Sequence, residues 1–144
     1  MNIQIKKLTD TAKVPFRGSD EAAGYDLFAD VTEDIEIEPG KTKLIGTGIS
    51  MAIPHGYFGG VYARSGLSTK EGLRPANCTG VIDSDYRGEI KVPLHNDSDE
   101  TRIIKPAQKM AQLIISPYLE VEFSETDDLD STDRGVDGFG STGI

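Results

Sequence analysis

Apolar and polar positions alternate along this chain in short runs separated by turn residues. Ile3 and Ile5 sit between polar neighbours, as do Ile35 and Ile37 in the run IEIEP. Each pattern predicts a strand, because successive strand side chains face opposite sides of a sheet. Lys41 to Pro54 also reads as strand, with Gly46 and Gly48 as bends or bulges. Pro39-Gly40 and His55-Gly56 mark turns. Further strands are predicted around Asp26, up to Tyr62, over Met110 to Ile115 and over Tyr118 to Phe123. Thr9 to Arg17 carries Pro15 and reads as loop with short extended pieces. One short helical turn is expected after Ser65-Gly66, running through Glu71 and stopped by Gly72 and Pro75. Beyond Phe123 the apolar periodicity ends, and SETDDLDSTD reads as a flexible linker. The pattern therefore divides the chain into a β-rich unit, residues 1–123, and a linker with a terminal arm, residues 124–144.

Composition sharpens this outline. The chain has 144 residues, which suits one domain with a real core. Sixteen glycines and seven prolines, with few helical patterns, point to an all-β fold rich in turns. The net charge of −9 argues against direct nucleic-acid binding, which needs a basic surface. It leaves room for a nucleotide triphosphate, which a few local arginines and backbone N–H groups can hold. No apolar run is long enough for a membrane span, and no signal peptide is legible, so a cytoplasmic location is expected. A single cysteine, Cys78, excludes an intramolecular disulfide, and no Cys/His cluster offers a zinc site. Cys78 reads as a small buried thiol and His55 as structural.

The chemistry concentrates in NCTGVIDSDYRGE, Asn77 to Glu89. Val81 and Ile82 deliver Asp83 to what reads as a β-hairpin tip, Ser84 to Gly88, with a return strand from Glu89 to Leu94. A carboxylate at the end of a strand can orient a water as general base. Tyr86 can lay its ring against a sugar or a base. Asn77 carries both the donor and the acceptor needed to read one edge of a pyrimidine. The same letters also describe an ordinary turn, since Asp, Ser, Tyr and Gly are turn residues in their own right. Elsewhere, Asp26 lies inside an apolar strand, where a carboxylate needs a partner or a metal. Arg64, Ser65 and Gly66 offer a donor fork beside a helix start. Gln112 is the one polar residue of an apolar run. In the terminal RGVDGFGSTGI, Arg134, Phe139, Gly140, Ser141 and Thr142 have the makings of a phosphate wrap with a lid.

GVIDSDYRGE resembles the third signature motif of the trimeric dUTPases, the deoxyuridine 5′-triphosphate nucleotidohydrolases. The other four motifs follow in order. AGYDLFA is similar to the first. ARSGLS is similar to the second, usually PRSGLA, with Ala63 and Ser68 as departures. AQKMAQL is similar to the fourth, usually GxRIAQL, with Ala107, Lys109 and Met110 departing and Gln112 kept. RGVDGFGSTG is similar to the fifth, with Asp137 where Gly is usual.

The resemblance covers nearly the whole chain. It implies a distorted jelly roll of the β-clip type with one short helix. It also implies a homotrimer with shared active sites and a mobile C-terminal arm. The implied reaction converts dUTP to dUMP and pyrophosphate, keeping uracil out of DNA and supplying dUMP for thymidylate synthesis. In it Asp83 orients the attacking water. Asn77, the backbone of Gly80, Val81 and Ile82, and the chain near Lys91 take the uracil. Tyr86 stacks under the deoxyribose. Arg64, Ser65, Gly66, Gln112, Arg134, Gly140, Ser141 and Thr142 hold the phosphates, and Phe139 covers the base. Magnesium rides on the triphosphate, with Asp26 and Gln112 reaching it through water rather than as direct ligands. Two alternatives share the scaffold. A dCTP deaminase would show a different hairpin and no Phe-Gly-Ser-Thr tail. A regulatory binding protein would show an insertion between motifs or a damaged Asp83.

Overall fold

Short alternating segments become twelve strands and one helix in the computed structural model, which describes residues 1–138. The strands are β1 (Gln4–Lys7), β2 (Phe16–Arg17), β3 (Tyr25–Phe28), β4 (Ile35–Ile37), β5 (Thr42–Gly46), β6 (Ile49–Ala52) and β7 (Tyr57–Tyr62). Helix α1 (Ser65–Glu71) follows, then β8 (Leu73–Pro75), β9 (Gly80–Ile82), β10 (Lys91–Asn96), β11 (Arg102–Ile104) and β12 (Lys109–Pro117). Every strand pair is antiparallel. The largest sheet runs β2-β3-β12-β7-β9, and a second runs β5-β10-β8. The pairs β1-β6 and β4-β11 complete an all-β jelly roll. Among the described residues no helix is long and apolar enough to cross a membrane.

The alternation read from the sequence decides what is buried. Val92, Leu94 and Asn96 of β10 face the core, while Lys91, Pro93 and His95 lie between them and are less buried. Ile37, Ile49, Leu73, Ile90, Ile104 and Met110 join that core with almost no exposed surface. Asn96 is the polar exception. Its Nδ2 donates to the carbonyls of Ile37 and Glu100, each at 2.8 Å, and so ties the second sheet to β4. Helix α1 ends at Gly72, whose φ of 68° is a left-handed cap that glycine adopts without a Cβ clash.

Strand β12 departs from strict alternation, and the departure matters for the site. Lys109 pairs with Phe28 and Ala111 with Leu27, so Met110 is an extra residue in the ladder. Such a bulge reverses the side-chain parity along a strand. Lys109 and Gln112, three positions apart, therefore reach the same side of the sheet.

Two expectations are corrected. Tyr118–Phe123 is not a strand. It alternates in sequence, yet Leu119 and Phe123 are 88% and 92% exposed, and no described strand pairs with it. A strand without a partner leaves its backbone groups to water. The stretch after Asp83 is also not a paired hairpin. β9 pairs with β7, whereas β10 pairs with β5 and β8, so the turn crosses from one sheet to the other.

Candidate active site

Three adjacent strands assemble the first cluster. In the ladder Gln112 of β12 stands opposite Asp26 of β3 on one side and Tyr62 of β7 on the other. Two residues past Tyr62 the chain reaches Arg64, so the register alone gathers Asp26, Gln112 and Arg64. The Asp26 carboxylate is only 13% exposed and carries two cations, Arg64 Nε at 3.0 Å and Lys109 Nζ at 2.7 Å. Gln112 Nε2 donates to the Ala63 carbonyl at 2.8 Å, pinning the backbone just before Arg64. Gly24 leaves room for this amide, since a Cβ there would collide with Gln112 Oε1. Lys109 Nζ also lies 4.8 Å from the centre of the Phe16 ring, which stacks on Phe28 at 5.5 Å. Two cations on one carboxylate leave a local positive charge in a chain of net charge −9. That is a site able to draw a polyanion.

Ser65 and Gly66 begin α1 beside Arg64 and are exposed. A Cβ on Gly66 would meet nothing within 4 Å, so the chain's own packing does not require glycine there. A closely approaching ligand would.

The second cluster lies between the two sheets. Asn77 sits in a turn closed by Cys78 N–H donating to the Pro75 carbonyl at 3.1 Å, and Cys78 is exposed rather than buried. Arg74 supports this turn. Its guanidinium donates to the Pro75 carbonyl at 3.2 Å and to Asp97 at 2.6 Å, and the Asp97 carboxylate holds it above its ordinary pKa. Gly80 lets the Asn77 side chain fold back over β9, since a Cβ would lie 3.3 Å from Asn77 Nδ2.

Beyond Ile82 the walls diverge around a recess of about 280 Å³, lined by Leu44, Val81, Ile82, Asp83, Tyr86, Glu89 and Lys91. β9 is the outer strand of its sheet, and β10 pairs with β8 only over Leu94–Asn96. The recess therefore lies beside strand edges whose backbone groups have no ladder partner. Among the described residues the exposed Asp83 carboxylate makes no hydrogen bond, while the Asp83 carbonyl accepts from Tyr86 N–H at 3.2 Å. Tyr86 Oη donates to the Glu89 carbonyl at 2.9 Å.

One chain does not bring the two clusters into contact. Three strand spacings separate β3 from β9, and Asp83 lies past Ile82, which pairs with Gly59 rather than Tyr62. That places Asp83 about 20 Å from Asp26 by ordinary sheet spacings. Arg134 Nε donates to the Asp137 carbonyl at 2.8 Å, within its own turn. Phe139, Gly140, Ser141 and Thr142 lie outside the described residues.

Two residues without an assigned role take part. Lys109, read from sequence only as a departure from the fourth motif, is the second cation on Asp26. Its side of the sheet depends on the bulge at Met110, which has no local sequence signature. Leu44 lines the recess from β5, a contact between segments that only the fold reveals.

The all-β architecture is that of solved dUTPases. A mutant of the Staphylococcus bacteriophage 80alpha dUTPase with dUpNHpp superposes with a TM-score of 0.86, at 30% identity over 99% of both chains. A mutant dUTPase from phage phi11 of S. aureus, whose structure concerns coordination of a structural Mg(II) ion, gives 0.78 at 28% identity over 89% of this chain and 98% of that one. In sequence, a deoxyuridine 5′-triphosphate nucleotidohydrolase from Nautilia profundicola is 48% identical over 143 residues, covering 99% of each chain. The dUTPase family model matches residues 10–143. The chain belongs to the dUTPase family.

Proposed function

We infer that this protein hydrolyses dUTP to dUMP and pyrophosphate. The observation that carries the reading is the recess where Val81, Ile82, Asp83, Tyr86 and Lys91 meet beside unpaired strand edges. A uracil there takes its hydrogen bonds from the Asn77 amide and from the backbone of Gly80, Val81, Ile82 and the region of Lys91. Backbone walls exclude a 5-methyl group by contact, and the 4-amino group of cytosine reverses the donor pattern. Tyr86 lies under the deoxyribose, leaving no room for a 2′-hydroxyl.

The phosphates go to Arg64, Ser65, Gly66 and Gln112, with Arg134, Gly140, Ser141 and Thr142 closing from the arm and Phe139 covering the base. Asp83 orients a water for in-line attack on the α-phosphorus. The water oxygen bonds to phosphorus, its proton passes to the Asp83 carboxylate, and the bond to the bridging oxygen breaks to release pyrophosphate. The arginines and backbone N–H groups stabilise the charge that develops on the phosphoryl oxygens.

The Asp26 carboxylate is already engaged by two cations, and among the described residues no three His, Cys, Asp or Glu side chains converge. This donor set fits a magnesium ion carried by the triphosphate, which Asp26 and Gln112 would steady through its waters. Bound there, magnesium supplies charge neutralisation and a fixed phosphate conformation.

The separation of about 20 Å between Asp83 and Asp26, taken from sheet spacings, supports a homotrimeric assembly. One subunit would contribute Asp26, Arg64 and Gln112, a second the Asp83 recess, and a third the arm of residues 124–144.

The test is pyrophosphate release from dUTP, dCTP, dTTP and UTP, each with magnesium and with chelator. Release from dUTP alone, lost on chelation, is the expected result. Equal release from dCTP or UTP would refute the role given to the recess.

A further inference from the structure

We propose that Glu89 is a positioning residue that fixes Tyr86 and so sets the preference for deoxyribose over ribose. The proposal rests on reading Tyr86 as the surface beneath the sugar. Excluding one added hydroxyl by shape is a weak discrimination unless the excluding surface is held still. Little else holds the Tyr86 ring. The residue is 45% exposed, and its turn is closed through main-chain acceptors, by Tyr86 N–H to the Asp83 carbonyl at 3.2 Å and by Arg87 Nη1 to the Ser84 and Tyr86 carbonyls at 2.6 and 3.0 Å, none of which touches the ring. The ring lies close over Gly88, where a Cβ would collide with Tyr86 Oη. What anchors its far end is the hydrogen bond from Tyr86 Oη to the Glu89 carbonyl at 2.9 Å.

That carbonyl is fixed in turn by the body of the fold. Glu89 Oε1 accepts the Gly48 N–H at 3.0 Å, and Oε2 lies 3.4 Å from Lys91 Nζ. The carboxylate occupies space that Gly46 leaves free, since a Cβ there would collide with Glu89 Oε1. Gly48, at φ +64°, turns its N–H toward this carboxylate in a conformation that suits glycine. The next residue, buried Ile90, is bonded to the same bend. Its N–H donates to the Ile49 carbonyl at 2.9 Å, and its carbonyl accepts from Thr47 Oγ1 at 2.6 Å. Glu89 thus works as a peg. Its side chain is set in the bend between β5 and β6, and its main chain holds the tyrosine.

The experiment compares kcat and KM for dUTP and UTP in the full chain and in Glu89→Ala, Glu89→Gln, Tyr86→Phe and Tyr86→Ala. Glu89→Ala is expected to lower the ratio of kcat/KM for dUTP over UTP about tenfold, mainly through KM, as loss of a charge-assisted hydrogen bond implies. Glu89→Gln keeps an acceptor for Gly48 N–H and is expected to rescue the ratio. Tyr86→Phe removes the same link from its exposed end without touching the core. Its ratio should fall similarly, and adding Glu89→Ala to it should lower the ratio no further.

An unchanged ratio in Glu89→Ala or in Tyr86→Phe overturns the proposal. Tyr86→Ala separates this from failure of the underlying reading. If the ratio survives Tyr86→Ala, Tyr86 is not the sugar surface. If it collapses there but holds in Glu89→Ala, only the role of Glu89 falls. Should Glu89→Ala fail to fold, Tyr86→Phe alone decides.

Discussion

Replacing Asp26 with Asn should destabilise the protein, and should do so less when a polyphosphate is present. In the structure Asp26 is the one carboxylate between Arg64, at 3.0 Å, and Lys109, at 2.7 Å. Unit charges at such distances attract by about 6 kcal/mol per pair before desolvation, at an effective dielectric constant near 20. Asp26 itself is largely buried, but both cations are 35% exposed and therefore partly screened. The net loss should lie between that of a surface pair and that of a broken buried pair, or about 2 kcal/mol. For a chain of this size that is a fall in melting temperature of about 6 °C. Losing Asp26 also leaves two cations facing each other, a repulsion that a bound anion relieves. Thermal unfolding of wild type and Asp26→Asn at equal protein concentration, in chelator, with tripolyphosphate or with chloride of the same ionic strength, measures both effects. The deficit of the variant should shrink with tripolyphosphate beyond what chloride achieves. A deficit below about 1 °C, well short of the change expected for a broken half-buried pair, would refute the energetic reasoning. An equal response to both salts would refute the anion site.

Three further outcomes are expected. Asp83→Asn should cut turnover about a thousandfold while the melting temperature holds, because its exposed carboxylate bonds to nothing among the described residues; near-normal turnover would remove it as the base. Gly24→Ala should cost about 1–3 kcal/mol by overpacking and raise KM for dUTP, because its Cβ displaces the Gln112 amide from Ala63. Unchanged stability and KM would show that the amide has room to move. A chain ending before Arg134 should assemble normally, as judged by sedimentation, yet turn over dUTP poorly; full activity would dismiss the arm.

Much of the fold could be read from side-chain alternation, because burial on one face of a strand is a local property of the sequence. Asp26 is the clearest case at the site. A carboxylate inside an apolar strand demanded a partner, and the structure supplies two. The failures share a cause. Alternation on both sides of Ser84–Gly88 is the pattern of a hairpin, but alternation does not say which sheet a strand joins. β9 joins β7 and β10 joins β5 and β8, so the two diverge and leave the Lys91–Pro93 edge of β10, on its β8 side, without a ladder partner. Tyr118–Phe123 alternates as well as any strand here and forms none, because alternation does not provide a neighbour. Lys109 shows the same limit within one strand. Its side of the sheet is set by the bulge at Met110, and the alternation alone would send it to the face opposite Gln112.

The recess beside Asp83 is lined from two sheets, by β9 and the turn after it on one side and by β5 and β10 on the other. Its width is therefore tied to the spacing of those sheets. Widening it means prising two sheets apart against the packing of Ile90, Val92 and Leu94. Such a slot is unforgiving toward bulk in the ligand. Base analogues should accordingly show an abrupt size threshold rather than a graded decline, and new substrate tolerance should arise more readily at Tyr86 than in the walls.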